Sequence, residues 1–170
     1  MGVSETMVRM GELAASSASG HVLVSLGLGS CIGLALLDRR LGVAGLAHVV
    51  LPQSQGDKPE NPRKFADVAV PQLVSELETL GARKQRLEAV LVGGAAMFAI
   101  SSSSLDVGQR NEAAVRALLE DMRIPVVATA TGGNRGRTIR VDVGTAGVTV
   151  REAGGKDTEL LAGTRALETV

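Results

Sequence analysis

The stretch VLVSLGLGSCIGLALLDRRLGVAGLAHVVLP, Val22–Pro52, decides the fold class. It holds three short apolar runs separated by turn-forming residues. Val22–Leu26 is broken by Gly27-Leu28-Gly29-Ser30, Cys31–Leu37 is closed by Asp38-Arg39-Arg40, and Val43–Leu51 stops at Pro52. Runs this short, rich in Val and Leu and bounded by Gly, Asp and Pro, are predicted to be strands rather than helices. The Arg39-Arg40 turn makes a hairpin of the second and third runs and sets Cys31 opposite His48. Directly opposed Cβ atoms stand about 4.5–5.5 Å apart. A turn of odd length shifts the register by one, so neighbourhood is expected rather than one fixed pairing.

Outward from this hairpin the pattern alternates. Residues 1–20 are small and polar, with a short edge strand expected around Met7–Leu13 and a loose Ala/Ser loop after it. Gln53–Pro62 is a polar loop. Asn61-Pro62 then reads as N-cap and first position of a helix reaching about Leu80 and closed by Gly81. Phe65, Ala69, Leu73, Leu77 and Leu80 share its apolar face, and Pro71 is expected to kink or shorten it. Ala89–Val92 reads as a buried strand ending at Gly93-Gly94. A second helix opens at Asp106 or Gly108 and runs to about Met122. Pro125–Thr131, Thr138–Val143 and Gly147–Val150 form a closing set of strands, the first two joined by the Gly132–Gly136 turn. After Arg151 the pattern fades into a tail expected to be weakly helical or mobile. With no repeat and no linker, residues 1–170 are read as a single α+β domain.

Composition narrows the chemistry. Eighteen basic and eighteen acidic residues cancel, so there is no global charge to attract nucleic acid or an acidic membrane. Two Phe and neither Trp nor Tyr leave little for base stacking. One Cys and two His make a soft-ligand zinc site hard to assemble, and a single Cys cannot form an internal disulfide. No metal or cofactor is expected. Residues 1–20 lack the basic start and apolar block of a secretory leader, and no apolar run approaches about 18 residues. The expected location is cytoplasmic.

A thiol beside an imidazole can become a thiolate–imidazolium pair, which depresses the cysteine pKa and makes a nucleophile for acyl transfer. The glycines before Cys31 let the chain turn sharply and aim amide N–H groups, those of Gly29 and Ser30 foremost, at an oxyanion. Ser25 stands where its hydroxyl can orient His48 or a substrate amide. The same residues have plainer readings. A lone Cys in an apolar run is often core, and so is a His flanked by Ala and Val. Gly27-x-Gly29-x-x-x-Gly33 mimics a dinucleotide loop, but the helix and the acidic ribose ligand that such a site needs are missing. His21 reads as an edge residue and Gly93-Gly94 as a close backbone approach. Gln109 and Asn111 fit helix capping as well as binding, and Arg135 and Arg137 fit a solvated turn.

Ser25-Leu-Gly-Leu-Gly-Ser-Cys31 followed by Gly45-Leu-Ala-His48-Val-Val-Leu-Pro52 resembles the paired signature of the CheD chemoreceptor glutamine deamidases. The resemblance continues through Lys64-Phe-Ala-Asp67, Gly93-Gly-Ala-Ala-Met-Phe98, Gly108-Gln-Arg-Asn111 and Gly132-Gly-Asn-Arg-Gly-Arg137, and spans roughly residues 5–151. It implies Cys31 as nucleophile, His48 as base and then acid, and Ser25 at a position where the family usually has threonine. It implies a protein-glutamine glutaminase that converts receptor glutamines to glutamate through a thioester, with glutamate methyl-ester hydrolysis in some members. It also implies binding to helices of methyl-accepting chemotaxis receptors and to a CheC-type phosphatase. The implied fold is packed mixed β-sheets, sandwich-like, with flanking helices, similar to the catalytic domain of cytotoxic necrotizing toxins. Phe98, Gln109 and Asn111 are the candidate substrate or partner contacts. Two other readings stand beside this one: a catalytically weak adaptor, kept open by Ser25, and an amidase for small substrates.

Overall fold

A computed structural model describes residues 4–53, 61–97 and 106–164. Among the described residues, ten strands fall into two five-stranded sheets, and two α-helices cover one of them. In chain order the strands are β1 (Ser4–Met7), β2 (Leu13–Ser16), β3 (His21–Leu28), β4 (Ile32–Asp38), β5 (Val43–Val49), β6 (Glu88–Gly93), β7 (Val126–Thr131), β8 (Arg137–Asp142), β9 (Gly147–Glu152) and β10 (Asp157–Leu161). The helices are α1 (Ala66–Thr79) and α2 (Val107–Asp121). The first sheet runs β1-β3-β8-β9-β10 and the second β2-β5-β4-β6-β7. Each has one parallel pair, β1 with β3 and β6 with β7, and is otherwise antiparallel. The α+β class with packed mixed sheets and flanking helices is what the sequence led us to expect.

Hydrophobic burial sorts the molecule into three layers. Leu23, Leu28, Ile139, Val141 and Val148 of the first sheet meet Ala35, Leu37, Ala44, Leu46, Val90 and Val92 of the second in one core. The opposite face of the second sheet, with Ile32, Leu34, Leu36, Ala47 and Leu91, packs on Leu73, Leu77, Val115 and Leu119 of the helices. β4 and β5 are therefore buried at every residue, which is why they read as unbroken apolar runs. β8 has only one face covered, and Thr138, Arg140 and Asp142 alternate outward from Arg137, Ile139 and Val141.

Four local expectations need correction. The first concerns the N-terminal segment, where β1 and β2 flank Met7–Leu13 rather than fill it. A turn in which Glu12 N–H donates to the Arg9 carbonyl (2.8 Å), with Gly11 at φ +77°, carries the chain from one sheet to the other. The Ala/Ser segment is itself β2. Secondly, β7 and β8 are not a hairpin. β7 pairs with β6 and β8 with β3 and β9, so the glycine-rich turn is a crossing between sheets. The tail is the third correction: it forms β10, antiparallel to β9. Finally, α1 runs through Pro71 to Thr79 without interruption. The shortening falls instead at its start, where Asn61 caps a 3-10 turn over Pro62–Lys64 and Phe65 takes an extended conformation.

The β4–β5 connection sets the register that matters most. Gly42, at φ +73°, donates its N–H to the Asp38 carbonyl (3.0 Å), and the Asp38 carboxylate accepts from Leu41 N–H (3.2 Å). The turn therefore spans Arg39–Gly42 and pairs Asp38 with Val43, Gly33 with His48 and Ile32 with Val49. His48 stands opposite Gly33, not Cys31. The displacement is two residues, an even number, so the side chains of Cys31 and His48 still share one face of the sheet.

Candidate active site

β3 bulges between Ser25 and Leu28, where Gly27 has φ +60°. The bulge turns Leu26 outward to 53% exposure and returns Leu28 to the core. The chain then crosses between the sheets through Gly29-Ser30-Cys31. All three carbonyls of this crossing are taken. Ala95 N–H donates to Gly29 O (2.8 Å), Asn111 Nδ2 to Ser30 O (2.9 Å), and Gly94 N–H to Cys31 O (2.9 Å). Among the described residues, no acceptor faces the N–H groups of Ser30 and Cys31. The crossing is pinned by its acceptors and leaves its donors available, the arrangement an anion-binding concavity requires.

Gly93 and Gly94, at φ +115° and +64°, allow this close approach. A Cβ on Gly93 would run into the Cys31 carbonyl. The expectation that this pair serves a tight backbone contact is met. Arg137, in contrast, does not solvate a turn. Its guanidinium is 9% exposed, donates to the Gly132 and Gly93 carbonyls (2.8 and 3.4 Å) and pairs with Glu152 (3.4 Å), bracing the end of β6.

His48 is held by the strap Val8–Glu12. Gly11 N–H donates to His48 O (3.0 Å) and His48 N–H to Glu12 O (3.0 Å). The ring Nδ1 lies 3.1 Å from the Val8 carbonyl. A carbonyl can only accept, so Nδ1 carries the proton and Nε2 keeps its lone pair. Nε2 is buried and has no hydrogen-bond partner among the described residues. Ser25, fully buried, donates its hydroxyl to the same Val8 carbonyl (2.8 Å). No hydrogen bond joins it to the imidazole; the two groups are linked through the shared acceptor.

Cys31 and His48 are diagonal neighbours across β4 and β5, a relation that places residues about 7–8 Å apart with side chains in reach of one another. Gly33, between them on that face, adds no side chain, and Leu28 and Ile139 close in over it. Cys31 retains 9% exposure and His48 4%. No hydrogen bond joins Sγ to Nε2. Burial pushes the Cys31 thiol above its ordinary value. Burial likewise holds the His48 imidazole below its ordinary value, against the Val8 hydrogen bond and the Glu12 charge, which act the other way. Both shifts favour the uncharged thiol and imidazole over a thiolate–imidazolium pair. The physical reason is that neither charge has a hydrogen-bonded counter-charge at its side.

Two hollows open at this end of the sheets, one reaching His48 and the other Ser30, and Cys31 lines neither. A groove of about 430 Å³ is lined by Met7, Val8, Arg9, Met10, Leu26 and His48, and one of about 150 Å³ by Ser30, Ala95, Met97 and the first turn of α2. Met10, Leu26 and Met97 stand 65%, 53% and 46% exposed at their rims. Of the candidate contacts, Gln109 is a capping residue. It accepts from Asp106 N–H (3.3 Å) while the Asp106 carboxylate accepts from Gln109 N–H (2.8 Å). Asn111 is fully buried, so it cannot touch a partner. Phe98 lies outside the described residues. Among the described residues no group of three or more His, Cys, Asp or Glu could hold a metal ion, and no helix is long and apolar enough to cross a membrane.

A family model described as CheD chemotactic sensory transduction matches residues 50–152. The chain belongs to the CheD family. A protein of Clostridium kluyveri named probable chemoreceptor glutamine deamidase CheD is 46% identical over 142 residues, covering 82% of this chain and 88% of that one. A protein of the same name from Clostridium botulinum strain Hall is 47% identical over 135 residues, 78% of this chain and 83% of its own. CheD membership agrees with the resemblance drawn from the Cys31 and His48 motifs, although the matched family model begins two residues after His48.

One contributor, the Val8 carbonyl, escaped the sequence reading, and Asn111 entered it as a candidate contact rather than as a buried brace. The Val8 carbonyl is a backbone atom and carries no residue-type signal. Asn111 did leave a trace: with Val115 and Leu119 it forms the buried stripe of α2, and a polar residue on such a stripe implies an internal hydrogen-bonding task.

Proposed function

We propose that this protein deamidates glutamine side chains on the signalling helices of methyl-accepting chemotaxis receptors, with Cys31 as nucleophile. The observation that carries the reading is the His48 ring. It is locked with Nε2 unprotonated and unpartnered, on the sheet face that also holds the only thiol of the chain. As Sγ attacks the carboxamide carbon, Nε2 takes the thiol proton. The oxyanion that forms is received by the N–H groups of Gly29 and Ser30, with that of Cys31 beside them. The C–N bond breaks as His48 returns the proton to the leaving nitrogen, and ammonia departs. A water molecule then attacks the thioester, His48 takes its proton, the S–C bond breaks, and the thiolate recovers a proton. The sum is glutamine plus water giving glutamate plus ammonia. A glutamate methyl ester offers the same acyl carbon with methanol as leaving group.

The test is receptor cytoplasmic fragment incubated with protein, followed by peptide mass spectrometry. Glutamines should shift to the mass of glutamate with release of ammonia, and Cys31→Ala should abolish both. Turnover that persists in that variant would remove Cys31 from the chemistry. The burial of Cys31 and the missing Sγ–Nε2 hydrogen bond favour a second reading, an adaptor that binds receptor or a CheC-type phosphatase. It requires receptor or phosphatase binding that survives Cys31→Ala, with no ammonia released by the unaltered protein.

A further inference from the structure

We propose that Asn111 is a positioning residue for Cys31. Its carboxamide replaces the backbone rung missing where the β4–β5 ladder ends, an inference that rests on the deamidase reading above. The last ladder pair is Ile32 with Val49. Beyond that pair, the C=O groups of Ser30, two residues before Ile32, and of Val50, one residue after Val49, have no strand partner among the described residues. Each instead accepts one hydrogen of the Asn111 NH2, both at 2.9 Å. One planar group thus ties the residue before the nucleophile to the chain two residues beyond the base. Val50 N–H is used separately, by the Lys64 carbonyl (2.8 Å).

Two features show that the site holds Asn111 for its donors. The side chain is fully buried, yet among the described residues nothing donates to its Oδ1. An idle buried acceptor is costly, so the carboxamide is kept in spite of its oxygen. The helix that delivers it is also seated without slack. A Cβ on Gly108, one turn earlier on the same face of α2, would lie 2.6 Å from Gly94 and Ala95 backbone atoms. Since Gly94 and Ala95 themselves bind the Cys31 and Gly29 carbonyls, α2 and β6 grip the same crossing from two sides.

Asn111→Asp keeps the shape and replaces the donors by an acceptor facing two carbonyls; Asn111→Leu removes polarity altogether. Both are to be compared with unaltered protein below their melting transitions, where circular dichroism confirms the fold. The expected result is a fall in kcat of about 10²-fold, the cost typical of misplacing a reacting group by about an ångström, with KM changed less than about threefold. Alkylation of Cys31 by iodoacetamide, which needs no receptor, should change by at least about tenfold because the thiol's surroundings shift. A role in folding alone would lower Tm and leave kcat and alkylation per folded molecule untouched, and that result would overturn the proposal. If neither variant folds, nitrogen-15 spectra of the unaltered protein decide. Asn111 side-chain hydrogens protected from exchange support the tether, and exchange at the rate of a free carboxamide refutes it. Unaltered protein that is inert toward receptor sinks the deamidase reading, while alkylation and exchange still judge the tether.

Discussion

Gly108→Ala sets two effects against each other. Alanine is the better helix former by about 1 kcal/mol, so on propensity alone the variant should be more stable. Against that, the new Cβ would sit 2.6 Å from Gly94 C, Gly94 O and Ala95 O, where real contacts stay above 3.0 Å. All three atoms belong to backbone that cannot rotate away. If α2 retreats as a body, it must move by about 0.4 Å, and both 2.9 Å bonds from Asn111 lengthen to about 3.3 Å, beyond the usual 2.7–3.2 Å range. Overpacking of this kind costs about 1–3 kcal/mol, so after the propensity gain of about 1 kcal/mol the net expectation runs from no change to a loss of about 2 kcal/mol. The displacement is under half an ångström, so the fall in kcat should be nearer tenfold than the 10²-fold that a full ångström brings. Urea titration gives the stability and receptor turnover gives the rate. Ala117→Gly on the exposed face of α2 calibrates the propensity scale in this helix. A Gly108→Ala protein that is stabilised by about 1 kcal/mol and fully active would show that α2 is not pressed on Gly94.

Further outcomes follow from the same contacts. Ser25→Ala removes one hydrogen bond to the Val8 carbonyl and should cost about 1 kcal/mol in urea titration, while His48 keeps its own bond and turnover falls only modestly. His48 has its pKa lowered in the folded state, so protons bind the unfolded chain more readily. Stability is therefore lost as pH falls through the ordinary imidazole value of about 6.5, and His48→Gln should lose that component of the slope. Burial opposes charge on Asp38, but hydrogen bonds from Arg86 and from the N–H groups of Arg83 and Leu41 hold its carboxyl below the ordinary range. Its contribution is present above the unfolded carboxylate pKa and disappears as pH falls through the folded one, so Asp38→Asn should flatten the acid limb of the stability curve. Replacing Met10 and Leu26 together by serine should raise KM for receptor fragment with little change in the urea midpoint, since both side chains are already solvent-exposed.

How much of this was readable beforehand depends on whether side chains or backbone set the feature. β3 to β5, β6 and both helices were legible because each buries a face whose period survives in the sequence, with Asn61, Gly81 and Asp106 punctuating the helix ends. The pairing of β4 with β5 was legible only to the correct face. The turn length was set by Asp38 accepting from Leu41 N–H and by the left-handed Gly42, neither of which a count of apolar residues can weigh. β10 was missed because its first three residues, Asp157, Thr158 and Glu159, are exposed and carry no core pattern. The candidate site residues Cys31, His48 and Ser25 were legible by type. The directions in which Cys31 and His48 are shifted were not, since they follow from burial, which arises only when distant segments close over the ring.

The complete burial of β4 and β5 has an implication for altering this protein. A strand clad on both sides cannot vary along its length without disturbing one layer or the other, and the thiol hangs just beyond where that cladding stops. The rim outside it, Met10, Leu26 and Met97, is free of such obligations. Recognition could therefore be redrawn at the rim while the slab behind it stays as it is, and the tolerance of the molecule to change should rise sharply within a few residues of Cys31.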